Sequence, residues 1–200
     1  MLDFNKIFTK KNYPKIIALV VLLIGFVAIA LYYQDYLKPN VSISEKSTLI
    51  SIPDSTSFDN LVMMLKNKNI LKDYESFITV SNKLGYKRDF VRGGRYKIEN
   101  GWNNLRFVRH LRSGNQEPVN LVLHNERNIE EVASKISNFV NIDSTVMLNY
   151  IKDSTVLAKY HCNLDDVLTN FIPNTYQVFW NTKPDKLFKR LADEADKFWL

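Results

Sequence analysis

Apolar positions along this chain fall into three patterns: one unbroken run, short alternating runs, and runs with the period of a helix. The unbroken run is Ile16 to Tyr33, eighteen residues without a charge. At about 1.5 Å rise per residue it spans roughly 27 Å, close to the hydrocarbon thickness of a bilayer. It has no polar face, so a buried core helix is a poor reading. Ala28-Ile29-Ala30 has the small-x-small pattern of a signal-peptide cleavage site. That triplet lies inside the run, and the run is longer than an ordinary signal core, so an uncleaved membrane helix over 16–33 is expected. Lys6, Lys10, Lys11 and Lys15 precede it, whereas Asp35 and Lys38 follow and cancel. The positive-inside bias makes 1–15 a cytoplasmic stub and places everything after Gln34 outside.

Beyond a polar stretch read as a tether, 34–46, the other two patterns alternate. Thr48 to Ile52 reads as a strand ending at Pro53. Phe58, Leu61, Val62 and Leu65 then follow the i, i+3, i+4, i+7 spacing of an amphipathic helix, with Asp54 to Ser57 as its polar start. The pattern returns at an offset of 71 residues: Ile50/Leu121, Ile52/Leu123, Phe58/Ile129, Leu61/Val132, Val62/Ala133 and Leu65/Ile136. This predicts two strand-then-helix units of one design, unless two amphipathic segments match by chance. Within the first unit, Tyr74, Phe77, Ser81 and Leu84 predict a second helix stopped by Gly85. Gly93-Gly94 marks a turn, Arg95 to Ile98 a return strand, and Leu105, Val108 and Leu111 a helix ended by Gly114. Strand, two helices and a return strand have the order and size of a LysM-like α+β module, assigned to 47–114. From Asp143 the chain reads as helical, interrupted at Asp153-Ser154-Thr155, and then enters the aromatic-rich stretch Asn170 to Trp180. A last helix begins at Pro184, with Leu187, Leu191 and Ala195 near one face and no cap after Trp199-Leu200. The fold class expected is therefore α+β behind a single transmembrane helix.

Composition narrows this picture. Of 200 residues, 46% are apolar and 24% charged, which excludes a disordered or low-complexity chain. One cysteine, Cys162, excludes an internal disulfide framework and a cysteine zinc ribbon; a small core residue is its expected role. His110, His124 and His161 have no i, i+4 spacing among them and no accompanying carboxylate motif, so no metal is expected. His161-Cys162 is a poor nucleophile pair, since adjacent residues do not face each other on a helix or a strand. There is no glycine-rich phosphate loop, and no cofactor is expected. Residues 83–112 hold nine Lys or Arg against Asp89 and Glu99, more net positive charge than the whole chain's +6. Outside a membrane, nucleic acid is not the partner for such a stretch. Lipid headgroups or cell-wall carboxylates are, unless the face is merely solvated. Asp165-Asp166 and Asp193-Glu194 lack the apolar neighbours that would hold a carboxyl protonated for glycosidic chemistry.

The order of features has a counterpart. An anchor and a LysM-like module lead to a "GRY-I" segment (Gly94-Arg95-Tyr96-Lys97-Ile98), an "LRSG" helix end (Leu111 to Gly114) and an "F-P-[DN]-T-Y" motif (Phe171, Pro173, Asn174, Thr175, Tyr176). Together these resemble the membrane-anchored endolytic murein transglycosylases, the YceG-like or MltG family. The resemblance covers 16–200 and is most specific from Phe171 to Trp180, with Asn174 where many members carry Asp. It implies that 115–200 is the front portion of a YceG-like catalytic domain, in a bacterial inner-membrane protein whose body is extracytoplasmic. The implied reaction cleaves the MurNAc–GlcNAc bond of nascent glycan strands. One glutamate acts as acid and then base, and the muramyl 6-hydroxyl attacks intramolecularly to leave a 1,6-anhydro end. The implied partners are peptidoglycan strands, the lipid bilayer and cell-wall synthases. The family's glutamate stands in an "A-S-I-[VI]-E-[KR]-E"-like segment, which is expected beyond Leu200; no catalytic residue is assigned here. Asn174, Thr175, Tyr176 and Trp180 are candidates for a wall of the glycan cleft. Packing of Tyr176, Phe179 and Trp180 into a core is the open alternative, as is a tethered glycan-binding scaffold without chemistry.

Overall fold

The computed structural model describes residues 13–199. The basic residues Lys6, Lys10 and Lys11 lie outside the described residues. Helix α1 (Tyr13–Tyr32) buries none of its residues and continues as a π-helical segment, Tyr33–Leu37. Together they form one rod, Tyr13–Leu37, long and apolar enough to cross a membrane.

Two lobes follow, each with its own apolar core. The first is built from β1 (Ser47–Ile52), α2 (Phe58–Asn67), α3 (Tyr74–Lys83), β2 (Gly94–Glu99) and α4 (Asn104–Ser113). The second is built from β3 (Val119–Leu123), α5 (Ile129–Ser137), α6 (Ser144–Lys152), α7 (Ser154–Lys159), β4 (Asn174–Val178) and α8 (Pro184–Trp199). β1 pairs antiparallel with β2, and β3 antiparallel with β4. The fold is thus α+β.

The spacing of 71 residues carries through to the geometry. α2 starts at Phe58 and α5 at Ile129, each after a polar cap: the Ser57 and Asn128 side chains accept from the backbone N–H three residues on. The registers agree too. Ile50 faces Tyr96 and Leu121 faces Tyr176; Ile52 faces Gly94 and Leu123 faces Asn174. Strand, helices, return strand and closing helix therefore occur twice, the second time with α7 and a 3-10 turn, Val167–Asn170, inserted before the return strand.

Period-two burial explains the strands. Tyr96 and Ile98 point inward from β2, as do Tyr176 and Val178 from β4. The first core stacks Phe77 between Phe58 (6.0 Å between centroids) and Phe107 (5.4 Å). Burying rings of this size contributes about 2–3 kcal/mol each. In the second core, Phe188 meets Tyr160 at 4.8 Å and Phe171 at 5.6 Å. Phe107 and Phe188, both fully buried, were not among the positions that spacing alone singled out.

The segment expected as a tether is instead built into the first lobe. Val41 is 1% exposed and bridges Leu71, while Pro39 bridges Asn103. A buried amide network explains why. Asn40 Nδ2 donates to Asn104 Oδ1 (2.7 Å) and to Asp73 O (2.6 Å). Asn104 Nδ2 donates to Ser76 Oγ (2.9 Å) and to Asp35 O (2.8 Å), at the end of the apolar rod. Polar composition here marks satisfied buried amides rather than solvation.

Candidate functional site

The four residues proposed from the motif do not converge. Asn174 and Thr175 are exposed on β4, with Asn174 Oδ1 accepting from Thr175 N at 2.7 Å. Tyr176 is withdrawn into the core at 2% exposure; its hydroxyl donates to Ile172 O at 2.7 Å, and burial pushes its pKa up. Trp180 is half-buried against the second core, and its carbonyl accepts from Asn141 N at 2.7 Å. Phe179, by contrast, is exposed. Tyr176 has a twin in Tyr96, whose hydroxyl likewise donates to the carbonyl four residues back, Arg92 O (3.2 Å), and to Gly93 O (3.1 Å). The two tyrosines lock the turns that lead into β2 and β4.

The histidines also stay apart. His110 packs edge-on against Trp102 (5.0 Å) and Tyr96 (5.9 Å), and burial lowers its pKa. Among the described residues no group of three or more His, Cys, Asp or Glu converges. Cys162 sits half-buried against the second core, and burial raises its pKa.

What does converge is a cleft of about 690 Å³ between the lobes. Its walls come from five separate segments. The β1–α2 loop gives Asp54 and Ser55; the α3–β2 loop gives Tyr86, Arg88, Arg92 and Gly93; the end of α4 gives Arg112 and Gly114; the inter-lobe link gives Gln116; and the β4–α8 loop gives Asn181 and Lys183. Asn181 Nδ2 donates to Asp54 Oδ1 (2.8 Å) and joins the lobes, while Glu117 N donates to Arg95 O (2.7 Å) and fastens the link to the first lobe.

Two glycines, Gly93 of the turn before β2 and Gly114 of the LRSG segment, serve this geometry. A Cβ on Gly93 would run into Asp54, so the β1–α2 and α3–β2 loops approach this closely only with glycine there. Gly114 holds φ +72° as the left-handed stop of α4, and a Cβ on it would collide with the Arg92 guanidinium.

Electrostatically the cleft is lopsided, with Arg88, Arg92, Arg112 and Lys183 against the single carboxylate Asp54. Tyr86 is 3% exposed, and its hydroxyl has no protein partner; neither has the buried Oε1 of Gln116. Burial, reinforced by Tyr96, pushes the Tyr86 pKa far up, so the group is a donor at any physiological pH. The one carboxylate of the lining is held by an amide, so the cleft presents mainly cationic groups to a ligand. The arginines were visible in the sequence as a basic stretch. Tyr86, Gln116, Asn181 and Lys183 carried no signal, because only the packing of the lobes brings them there.

No protein of curated function matches the chain. Among solved structures, a YceG-like protein of Listeria monocytogenes is similar at 15% identity and a TM-score of 0.38, over 76% of this chain and 55% of that one. The chain thus spans about half the length of that solved relative. The sequence pattern of the YceG-like family matches residues 50–199, from β1 to the last turn of α8 and across both walls of the cleft. This chain belongs to the YceG-like family.

Proposed function

We propose that the protein is a membrane-tethered peptidoglycan lytic transglycosylase. In this reading it cleaves MurNAc–GlcNAc bonds within nascent glycan strands, leaves 1,6-anhydro-MurNAc ends and so terminates elongation. The observation that carries the reading is the family match across both lobes. The apolar rod Tyr13–Leu37 supports tethering, and the lysines before it support an N-terminus in the cytoplasm with the lobes outside the inner membrane. Cell-wall synthases working on the same strands are the protein partners this reading implies. No glutamate of residues 1–200 stands in the family's acid/base segment, so no proton-transfer role is assigned to any residue here. The two lobes present glycan to the chemistry.

The test uses the native protein extracted from membranes, identified by an N-terminal peptide and incubated with purified sacculi. Anhydro-ended muropeptides in the digest, above a boiled-protein control, support the reading; their absence overturns it. A second reading, a tethered glycan-binding scaffold, is favoured by a cleft with one amide-held carboxylate. It predicts retention of the protein on sacculi without any anhydro product.

A further inference from the structure

The cleft's cations are positioned but not neutralised. Arg88 Nε donates to Gly85 O (3.0 Å), Arg92 Nη1 to Ser113 O (2.9 Å) and Arg112 Nη1 to Leu84 O (2.7 Å). Each guanidinium is thereby fixed at a loop or helix end by one N–H, with its remaining donors available. Among the described residues none of the three arginines, nor Lys183, has a carboxylate within 4.0 Å. Such a set of forked donors fits an oxyanion. Tyr86 lines the same space, and its buried hydroxyl has no protein partner. The carboxylate of Asp54 asks for the opposite, an N–H or O–H from the ligand. A ligand carrying both an acid and an amide satisfies both demands, and a bare inorganic anion does not.

The position of the cleft selects the source. α3 and α4 start at the membrane rod, where Ser76 and Asn104 join the network ending on Asp35 O. They end at the cleft, with Leu84 O and Ser113 O held by its arginines. Ten residues of helix set these ends about 15 Å apart, so the cleft lies at the far end of the first lobe from the rod, away from lipid headgroups. We propose that this cleft binds the free carboxylates of the stem peptides that hang from glycan strands. The choice of the cell wall as carrier rests on the peptidoglycan reading above.

The experiment is calorimetric titration of the full chain in detergent micelles with three probes. These are an N-acetyl tetrapeptide containing glutamate, the same peptide with its carboxylates amidated, and inorganic phosphate. The expected result is saturable binding of the free-acid peptide, weakened at least tenfold by amidation and at least tenfold in Arg88→Gln/Lys183→Gln. Both side chains are exposed, so an unchanged thermal unfolding curve verifies the fold of the variant. The proposal is overturned by no binding, by equal binding of the amidated peptide or to the variant, or by phosphate that binds as tightly and displaces the peptide. Anhydro-muropeptide release without peptide binding removes this site and leaves the enzyme. Peptide binding without release does the reverse.

Discussion

Asn104 is 1% exposed and uses both ends of its amide, accepting from Asn40 and donating to Ser76 and to the Asp35 carbonyl. Asn104→Ala removes three hydrogen bonds, two of them to the buried side chains of Asn40 and Ser76, so a loss of about 3 kcal/mol is expected in urea unfolding, well beyond the ~1 kcal/mol of one ordinary hydrogen bond. The twin tyrosines allow a cleaner comparison. Tyr96→Phe and Tyr176→Phe each remove a hydroxyl held by a carbonyl four residues back, and each is expected to cost about 1 kcal/mol. Because they sit in separate cores, the losses add in the double variant. Tyr176 also shows where reading by motif reaches its limit. Its place in the F-P-[DN]-T-Y motif suggested a cleft wall, but alternation along β4 turns it inward beside Val178 and leaves Asn174 and Thr175 outside. His110 sets a pH dependence. Burial holds its folded pKa below the ordinary value, so the neutral form is the one the fold prefers. The stability this contributes is present above the ordinary histidine pKa and is lost as pH falls through the lower folded value. The stability of the fold is expected to fall on acidification from about pH 7 to 5, and His110→Phe is expected to flatten that dependence.

At the level of elements, the repeat was legible because two amphipathic helices and two strands kept the same offset in their core positions. β4 was not. Asn174 to Val178 contains only two inward residues, and they belong to a stretch whose aromatic content read as a recognition motif. The helix stops were legible from glycine, and Gly114 offers a test of what that glycine does. Gly114→Ala is expected to cost about 1 kcal/mol for the left-handed backbone. It also displaces Arg92, against which the new methyl lands. Weaker binding of an acidic peptide should therefore accompany the lower Tm. A glycine acting only as a helix stop would lower Tm alone. The tether was misread for a physical reason: Asn40 and Ser42 look solvated in a sequence, yet Asn40 is buried because Asn104 and Asp73 satisfy it.

At the level of the whole molecule, two cores joined by few hydrogen bonds imply lobes that respond separately to damage. Phe77→Ala opens a cavity in the first core at an expected cost of about 3–5 kcal/mol. Hydrogen exchange should then accelerate across 41–111 while 119–192 keeps its protection, and Phe188→Ala should give the mirror image. Apart from its arginines, the cleft between the lobes could not be read from sequence, since its walls come from five segments spread between Asp54 and Lys183. The weld at the base of the first lobe has a mechanical meaning. With Asp35 O held by Asn104 and Tyr36 packed on the core, no slack chain intervenes between the rod and the body it carries. On the proposed membrane-tethered reading, a protein mounted in this way samples its surroundings by sliding and spinning in the plane of the bilayer, at a working depth set by rigid geometry. On the same proposal, glycan strands lying nearer or farther than that depth are out of reach, whatever their chemistry.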